Sequence, residues 1–343
     1  MVEQRFWQEG RVVRPFCCSA GVRCRGYSQP LQRRMTDFGA DLAFGQVPAK
    51  LKEHYGIEVP VSAVRTITEE QARRIHAQEQ CQTSLPAQGV AWVIAETDGS
   101  MIPIVDTAAP ETGAAGGDRR KTRQVRWQEA RLSLAHAQGS VTPRFAATLG
   151  EPDAVGEQLR DCAIRVGFGL TSRVHSVGDG APWIAEQVRR VFGQQGTYLV
   201  DFYHLSEYLA AAATRCAPET PAQWLAQQQA HLKQGDVAEV HAALAPSLEA
   251  LEVADQAAPV RCCSRYLTNR PGQFDYQRAL AADLPIGSGE IESAHRYVIQ
   301  QRLKLAGAWW KEETAADMLA LRTLRANGEW NHQYWAALEQ TPA

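Results

Sequence analysis

The chain has 343 residues, 45% of them apolar and 22% charged, with a formal net charge of -2. That length and composition predict a soluble globular protein of two or three domains, and no apolar run is long enough for a membrane span or a signal-peptide core. Eight scattered cysteines without a C-x-x-C pair exclude a disulfide framework and a zinc ribbon, so the thiols are read as reduced and the protein as cytoplasmic.

A net charge near zero argues mildly against nucleic acid as a partner, but the distribution softens this. Seven arginines fall in residues 1 to 34, and residues 118 to 144 hold six arginines and Lys121. Such runs suit phosphate binding or an ordinary solvated surface.

Taken in chain order, residues 1–36 read as a basic segment. Residues 37–86 carry Val47 and Leu51, a stop at Gly56, a break at Pro60, and then Val61, Val64 and Ile67 at helical spacing. This is the outline of a helix-turn-helix, whose second helix would present Arg65 to a DNA groove.

From residue 89, GVAWVIAETDGSMIPIVDT reads as a strand, a D-G turn and a second strand, with Asp98 at the tip of the first. Residues 107 to 123 are a glycine-rich loop, and VRWQEARLSLA is a third strand. A helix follows through Val155, Leu159, Cys162 and Val166. Then come the strand RVHSV, the turn at Asp179, a helix opened by Pro182 and stopped near Gly193, and the strand TYLVDF ending at Asp201. Three meandering strands followed by alternating helix and strand define an α/β chain of the RNase H-like order, spanning 87–204. Residues 205–283 read as a helical insertion, and 284–343 as the final helices of the core.

Two carboxylates at the ends of neighbouring strands and a third on a helix crossing them can meet although distant in sequence. Asp98, Asp179 and Glu292 are the candidates for catalysis and for holding Mg²⁺, with Mn²⁺ as substitute, since hard oxygen donors suit these ions and two-metal sites cut or join phosphodiesters. Each acid alone also suits a structural role: Asp98 and Asp179 in turns, Glu292 as charge compensation at a helix start. Glu290 competes with Glu292, and because residues two apart on a helix face nearly opposite ways, one of them is expected at the site. Asp201 and His204 form an Asp-x-x-His pair beside it, suited to orienting a water or phosphate or to a structural hydrogen bond. Arg302 and Lys304 precede Trp309 and Trp310, a basic and aromatic stretch suited to DNA, with Trp310 as a stacking surface.

The segments DFGAD, EHYGIEV, GDGAPWI, YLVDFYHLSEYLA, YLTNR and LPIGSGEIES together resemble bacterial insertion-sequence DDE transposases of the ISKra type, over about residues 11 to 335. The resemblance, shared with mutator-type transposases, implies an RNase H-like fold and Asp98, Asp179 and Glu292 as the metal-binding triad. Asp201 and His204 would match the (Cys/Asp)-x-x-His motif of those relatives. It implies hydrolysis at the ends of a mobile element and attack of the freed 3′-hydroxyls on target DNA, with double-stranded DNA as partner and a homo-oligomer as the working form. The region ahead of the helix-turn-helix segment is shorter than such relatives have. A relic that binds DNA without cutting it is therefore a second expectation, and another metal-dependent phosphoesterase on the same sheet order a third.

Overall fold

The computed structural model describes residues 6–8, 11–13, 22–23, 26–79, 81, 84–107 and 123–337. Cys17, Cys18, Cys24, most of the loop after Thr107 and its residues 118 to 122 lie outside them. Two short antiparallel ribbons come first: β1 (Phe6–Gln8) with β2 (Arg11–Val13), and β3 (Val22–Arg23) with β4 (Tyr27–Ser28).

Three helices follow: α1 (Gln29–Asp41), α2 (Val47–Tyr55) and α3 (Val61–Ala77). Gly56 ends α2 in the left-handed conformation, and Pro60 precedes α3, as the sequence predicts. α1 starts ahead of the expected boundary at residue 37, because Gln32, Met35 and Thr36 already point into the protein. Met35, Leu51, Val64 and Ile67 form a small core of this unit. Further along α3, Ala72 and Ile75 join the main core, and His76 Nδ1 lies 2.8 Å from Asp317 Oδ1. α3 is thus docked along its length and leaves Val61, Ser62 and Arg65 exposed at its start.

The centre is a five-stranded mixed sheet in the order β7-β6-β5-β8-β9. Its strands are β5 (Trp92–Thr107), β6 (Arg123–Ala137), β7 (Arg144–Thr148), β8 (Arg173–Gly178) and β9 (Gly196–Val200). β6 is antiparallel to β5 and β7, while β5, β8 and β9 run parallel. The expected meander is present, but its strands are not the expected ones. Asp98-Gly99 makes no turn: β5 runs straight through it, the hairpin closes after Thr107, and the third strand is RFAAT. A D-G pair folds back only if its residues take positive φ, and here Gly99 pairs flat with Arg131. The Glu129 side chain lies over Gly99, and a Cβ there would displace it, standing 2.0 Å from Glu129 Oε1.

Helices cover both faces. α4 (Pro152–Arg165) and α5 (Pro182–Phe192) bury Leu159, Ile184 and Val188 against Val93, Ala95 and Val174. Pro182 opens α5 and Gly193 ends it, as expected. On the other face, Ile94 and Leu199 belong to one core with α6 (Phe202–Cys216), α7 (Pro221–Gln234), α8 (Val237–Leu244), α9 (Pro259–Thr268) and α10 (Tyr276–Ala281). Ile102, Leu132 and Leu134 meet the last helices. One of these is a helical stretch over 289–303 that starts as α11 (Gly289–Ala294) and widens into a π-helical turn at His295–Gln300; another is α12 (Glu312–Ala326). The five described cysteines are free. Among the described residues no helix is long and apolar enough to cross a membrane.

Candidate active site

Along a parallel pair the register sets which residues lie side by side. Glu96 of β5 is level with Val177 of β8, and Gly178 of β8 with Val200 of β9. Continuing those registers places Asp98, Asp179 and Asp201 in one row at the carboxyl end of the parallel strands, where open sheets place their sites. Alternation along the strand puts Asp98 on the same face as Ile94 and Glu96, the face covered by the 289–303 helix.

The three acids of the row are held differently. Among the described residues Asp98 accepts only the amide of Gly99, at 2.7 Å, and burial, with the charges of Asp179 and Glu129 adding to it, pushes its carboxyl up to about 6. Asp179 caps its own turn, accepting the amide of Ala181 at 2.8 Å. Its loop is gripped from the helical region after β9: Tyr266 Oη donates to Asp179 O at 2.6 Å and Arg270 Nε to Gly180 O at 2.7 Å. Gly180 has φ +85°, and a Cβ there would meet both Arg270 Nε and Tyr266 Oη at 2.5 Å.

Asp201 is saturated. Its Oδ1 accepts the amides of Tyr203 and His204 at 2.6 and 2.9 Å, capping α6, and its Oδ2 accepts the amide and hydroxyl of Ser288, both at 2.6 Å. A carboxylate has about four acceptor positions and all are taken, so Asp201 pins the turn before α11. His204 lies half-buried beside the rings of Tyr208 and Tyr266.

The two competing glutamates part as their spacing predicts. Glu290 Oε2 sits 3.1 Å from His136 Nε2 of β6, whereas Glu292 is exposed and lines a shallow groove with Asp201, Tyr203 and Gly287. The structure brings Asp98 and Asp179 together. Among the described residues, though, no three His, Cys, Asp or Glu side chains stand close enough to hold a metal ion, so Glu292 does not complete such a cluster.

Sequence reasoning missed two groups here. Glu96 is 1% exposed and accepts the amide of Ile291 at 2.9 Å, tying β5 to the helix that carries Glu292. Burial, reinforced by Glu290, Asp201 and Glu292, pushes it up to about 8, so it is mostly protonated at neutral pH. Its place two residues before Asp98, hence on the same face, was the available signal. His295 is 2% exposed, with Nε2 3.6 Å from Asp98 Oδ2, and burial holds its imidazole down at about 4, in the neutral state.

Of the residues expected to meet DNA, Arg65 and Lys304 are exposed, Arg65 pairing with Glu69 at 2.8 Å. Arg302 and Trp310 are not available. Arg302 is buried, donates to Gly39 O at 2.9 Å, and stacks over Phe44 and Trp310; the Trp310 indole donates to Leu303 O at 3.1 Å. The arginine is buried because two aromatic faces and a carbonyl replace its water. Trp309 takes the exposed position, with Arg123 5.7 Å from its ring. These two share a cleft with Arg65 and Lys311.

Residues 169–337 match the model of a family described as Uncharacterised protein family (UPF0236). The likeness takes in Asp179, Asp201, His204, Glu292 and His295 and stops short of Asp98. No curated protein matches the chain.

Proposed function

We propose that the chain is a metal-dependent DNA-strand-processing enzyme of the DDE transposase kind, built on an RNase H-like sheet. The observation that carries this reading is the register that sets Asp98 and Asp179 side by side where β8 ends, beneath the helix bearing Glu292. The strand order, with β6 alone running against the rest, supports the RNase H-like assignment.

Carboxylate oxygens are the donors a hard divalent cation takes, and the structure brings two of them together, Asp98 and Asp179, without Glu292. Asp98 and Asp179 repel one another in a partly buried site, a conflict that Mg²⁺ or Mn²⁺ would relieve, and Glu292 is exposed on α11. When bound, the cation supplies Lewis-acid stabilisation of charge developing on a phosphate. The protein's own residues do the positioning: Tyr266 and Arg270 fix the Asp179 loop, while Asp201 and Glu96 fix the turn and helix that present Glu292.

The cleft of Arg65, Arg123, Trp309 and Lys311 is the proposed DNA contact, with the exposed first turn of α3 as the helix-turn-helix element. It touches β5 at Val105, seven residues from Asp98, or roughly 23 Å along an extended strand. A duplex reaching both would span about seven base pairs, at about 3.4 Å each. Two copies, one per element end, would form the working assembly.

The test is nicking, with Mn²⁺, of DNA carrying the sequences that flank the chain's own gene. Wild type should nick it, and Asp98→Asn and Asp179→Asn should each slow nicking at least about a hundred-fold. Equal nicking by the variants would sink the reading. The basic and aromatic cleft also favours a second reading, a protein that binds DNA without cutting. Retarded migration of DNA by wild type, with no nicking in any metal, would select it.

A further inference from the structure

Trp309 and Trp310 are neighbours in the chain, and the fold treats them in opposite ways. Trp310 is stitched to β5: the Val105 amide donates to Trp310 O at 2.7 Å, the Trp310 amide donates to Pro103 O at 3.3 Å, and the ring is 4% exposed. In extended backbone, adjacent side chains point to opposite sides, so fixing Trp310 inward turns Trp309 outward. Trp309 is left 50% exposed on a backbone that β5 holds in place.

That indole stands in a cleft of about 410 Å³ whose charged residues are Arg65, Arg123, Arg302 and Lys311 against one carboxylate, Glu69. The concentration of cations contrasts with the chain's net charge of -2. Arg302 is 2% exposed and its Nη2 has no hydrogen-bond partner. Burial, with the charge of Arg322 adding to it, lowers its guanidinium to about 10, so it stays charged at neutral pH. A charge shielded from water acts more strongly on its surroundings than an exposed one, and Arg302 makes the cleft electropositive without reaching a ligand itself.

Arg123 stands over the Trp309 ring at 5.7 Å from its centroid. Flat groups in contact lie roughly 3.5 to 4.0 Å apart, so a ring sliding between the two needs about 7 Å, a shift of roughly 1.5 Å for the Arg123 side chain. That side chain is exposed and free to make it. An aromatic face ringed by cations suits a flat base that carries a phosphate, and the volume lies in the range of small-ligand pockets. Inside a duplex the faces of a base are covered by its neighbours, so such a surface serves a base that has left the stack.

We propose that this cleft holds one unpaired nucleotide of the DNA, its base stacked on Trp309 and its phosphate met by Arg65, Arg123 and Lys311 over the buried charge of Arg302. The proposal rests on the DNA-contact reading above and adds to it that the strands are parted at the cleft.

The test is fluorescence anisotropy of the full chain, without metal, on three labelled probes: an oligothymidylate, the same strand paired with its complement, and that duplex carrying one unpaired thymidine. Wild type should bind the two probes with unpaired bases about ten-fold or more tightly than the plain duplex. Trp309→Ala should remove this preference and leave duplex binding within about two-fold, while Trp309→Tyr, which keeps a stacking face, should retain most of it. Equal affinity of wild type for all three probes, or a preference undiminished in Trp309→Ala, would overturn the unpaired-nucleotide site and leave the DNA-contact reading standing. Failure of wild type to bind any of the probes would overturn both.

Discussion

Asp98 and Asp201 stand in one row at the same end of the same sheet, yet the corner around β9 and the end of β5 treat their carboxylates in opposite ways. Asp201 receives four donors from two elements, and its charge is the joint that holds α6 to the turn before α11. Asp98 receives one amide, faces Asp179 and the buried imidazole of His295, and is held in a state that disfavours its charge. A carboxylate whose acceptor positions are all filled is part of the scaffold. One that is partly buried and underfilled is available to a ligand, and the fold carries the cost of keeping it so.

The sharpest way to break this contrast is to remove the saturated acid. Asp201→Ala leaves four donors without an acceptor, three of them backbone amides, and should lower unfolding stability by on the order of 4 kcal/mol in urea titration. A loss under about 1 kcal/mol would mean that Asp201 is no joint, and the distinction from Asp98 would fall.

Glu96 should behave in the opposite sense. A carboxyl raised by folding stabilises the fold fully below its unfolded value, and that stabilisation is lost as pH rises through the folded value. For Glu96 the window runs from 4.5 to about 8. Glu96→Gln keeps an acceptor for the Ile291 amide without the charge. At pH 9 it should be more stable than wild type by about 3 kcal/mol, and the fall in stability between pH 5 and 8 should flatten. Parallel pH profiles for the two proteins would refute the assignment.

Asp98→Asn gives the smallest change. The window runs from 3.8 to about 6, and because the side chain is 35% exposed, the gain above pH 6 should be only about 1 kcal/mol. Thermal unfolding at pH 7 without metal would detect it, and a destabilised variant would place Asp98 with Asp201 among the structural acids.

Legibility followed the range of the interactions. α5 was readable because Pro182 and Gly193 mark its ends, and β8 and β9 because short apolar runs lie between turn residues. Asp179 and Asp201 were readable for the same reason, since each caps the backbone just after it. Asp98 was singled out at the tip of a strand that the D-G pair was expected to end, but fifteen residues of partner strand beyond the loop hold it flat in β5. Arg302 and Trp310 were misplaced because exposure of a long cation depends on what packs on it, and Phe44 comes from more than 250 residues away.

The sequence by itself determined the helices, the parallel strands and the acids at their ends, because capping, periodicity and turn chemistry act over a few residues. Only the tertiary structure decided that Asp98 and Asp179 share a level, that Asp201 is spent as a joint, and that Glu96 and His295 are buried beneath the helix of Glu292. Those outcomes depend on strand register and on contacts between residues up to about two hundred positions apart, which no local pattern encodes.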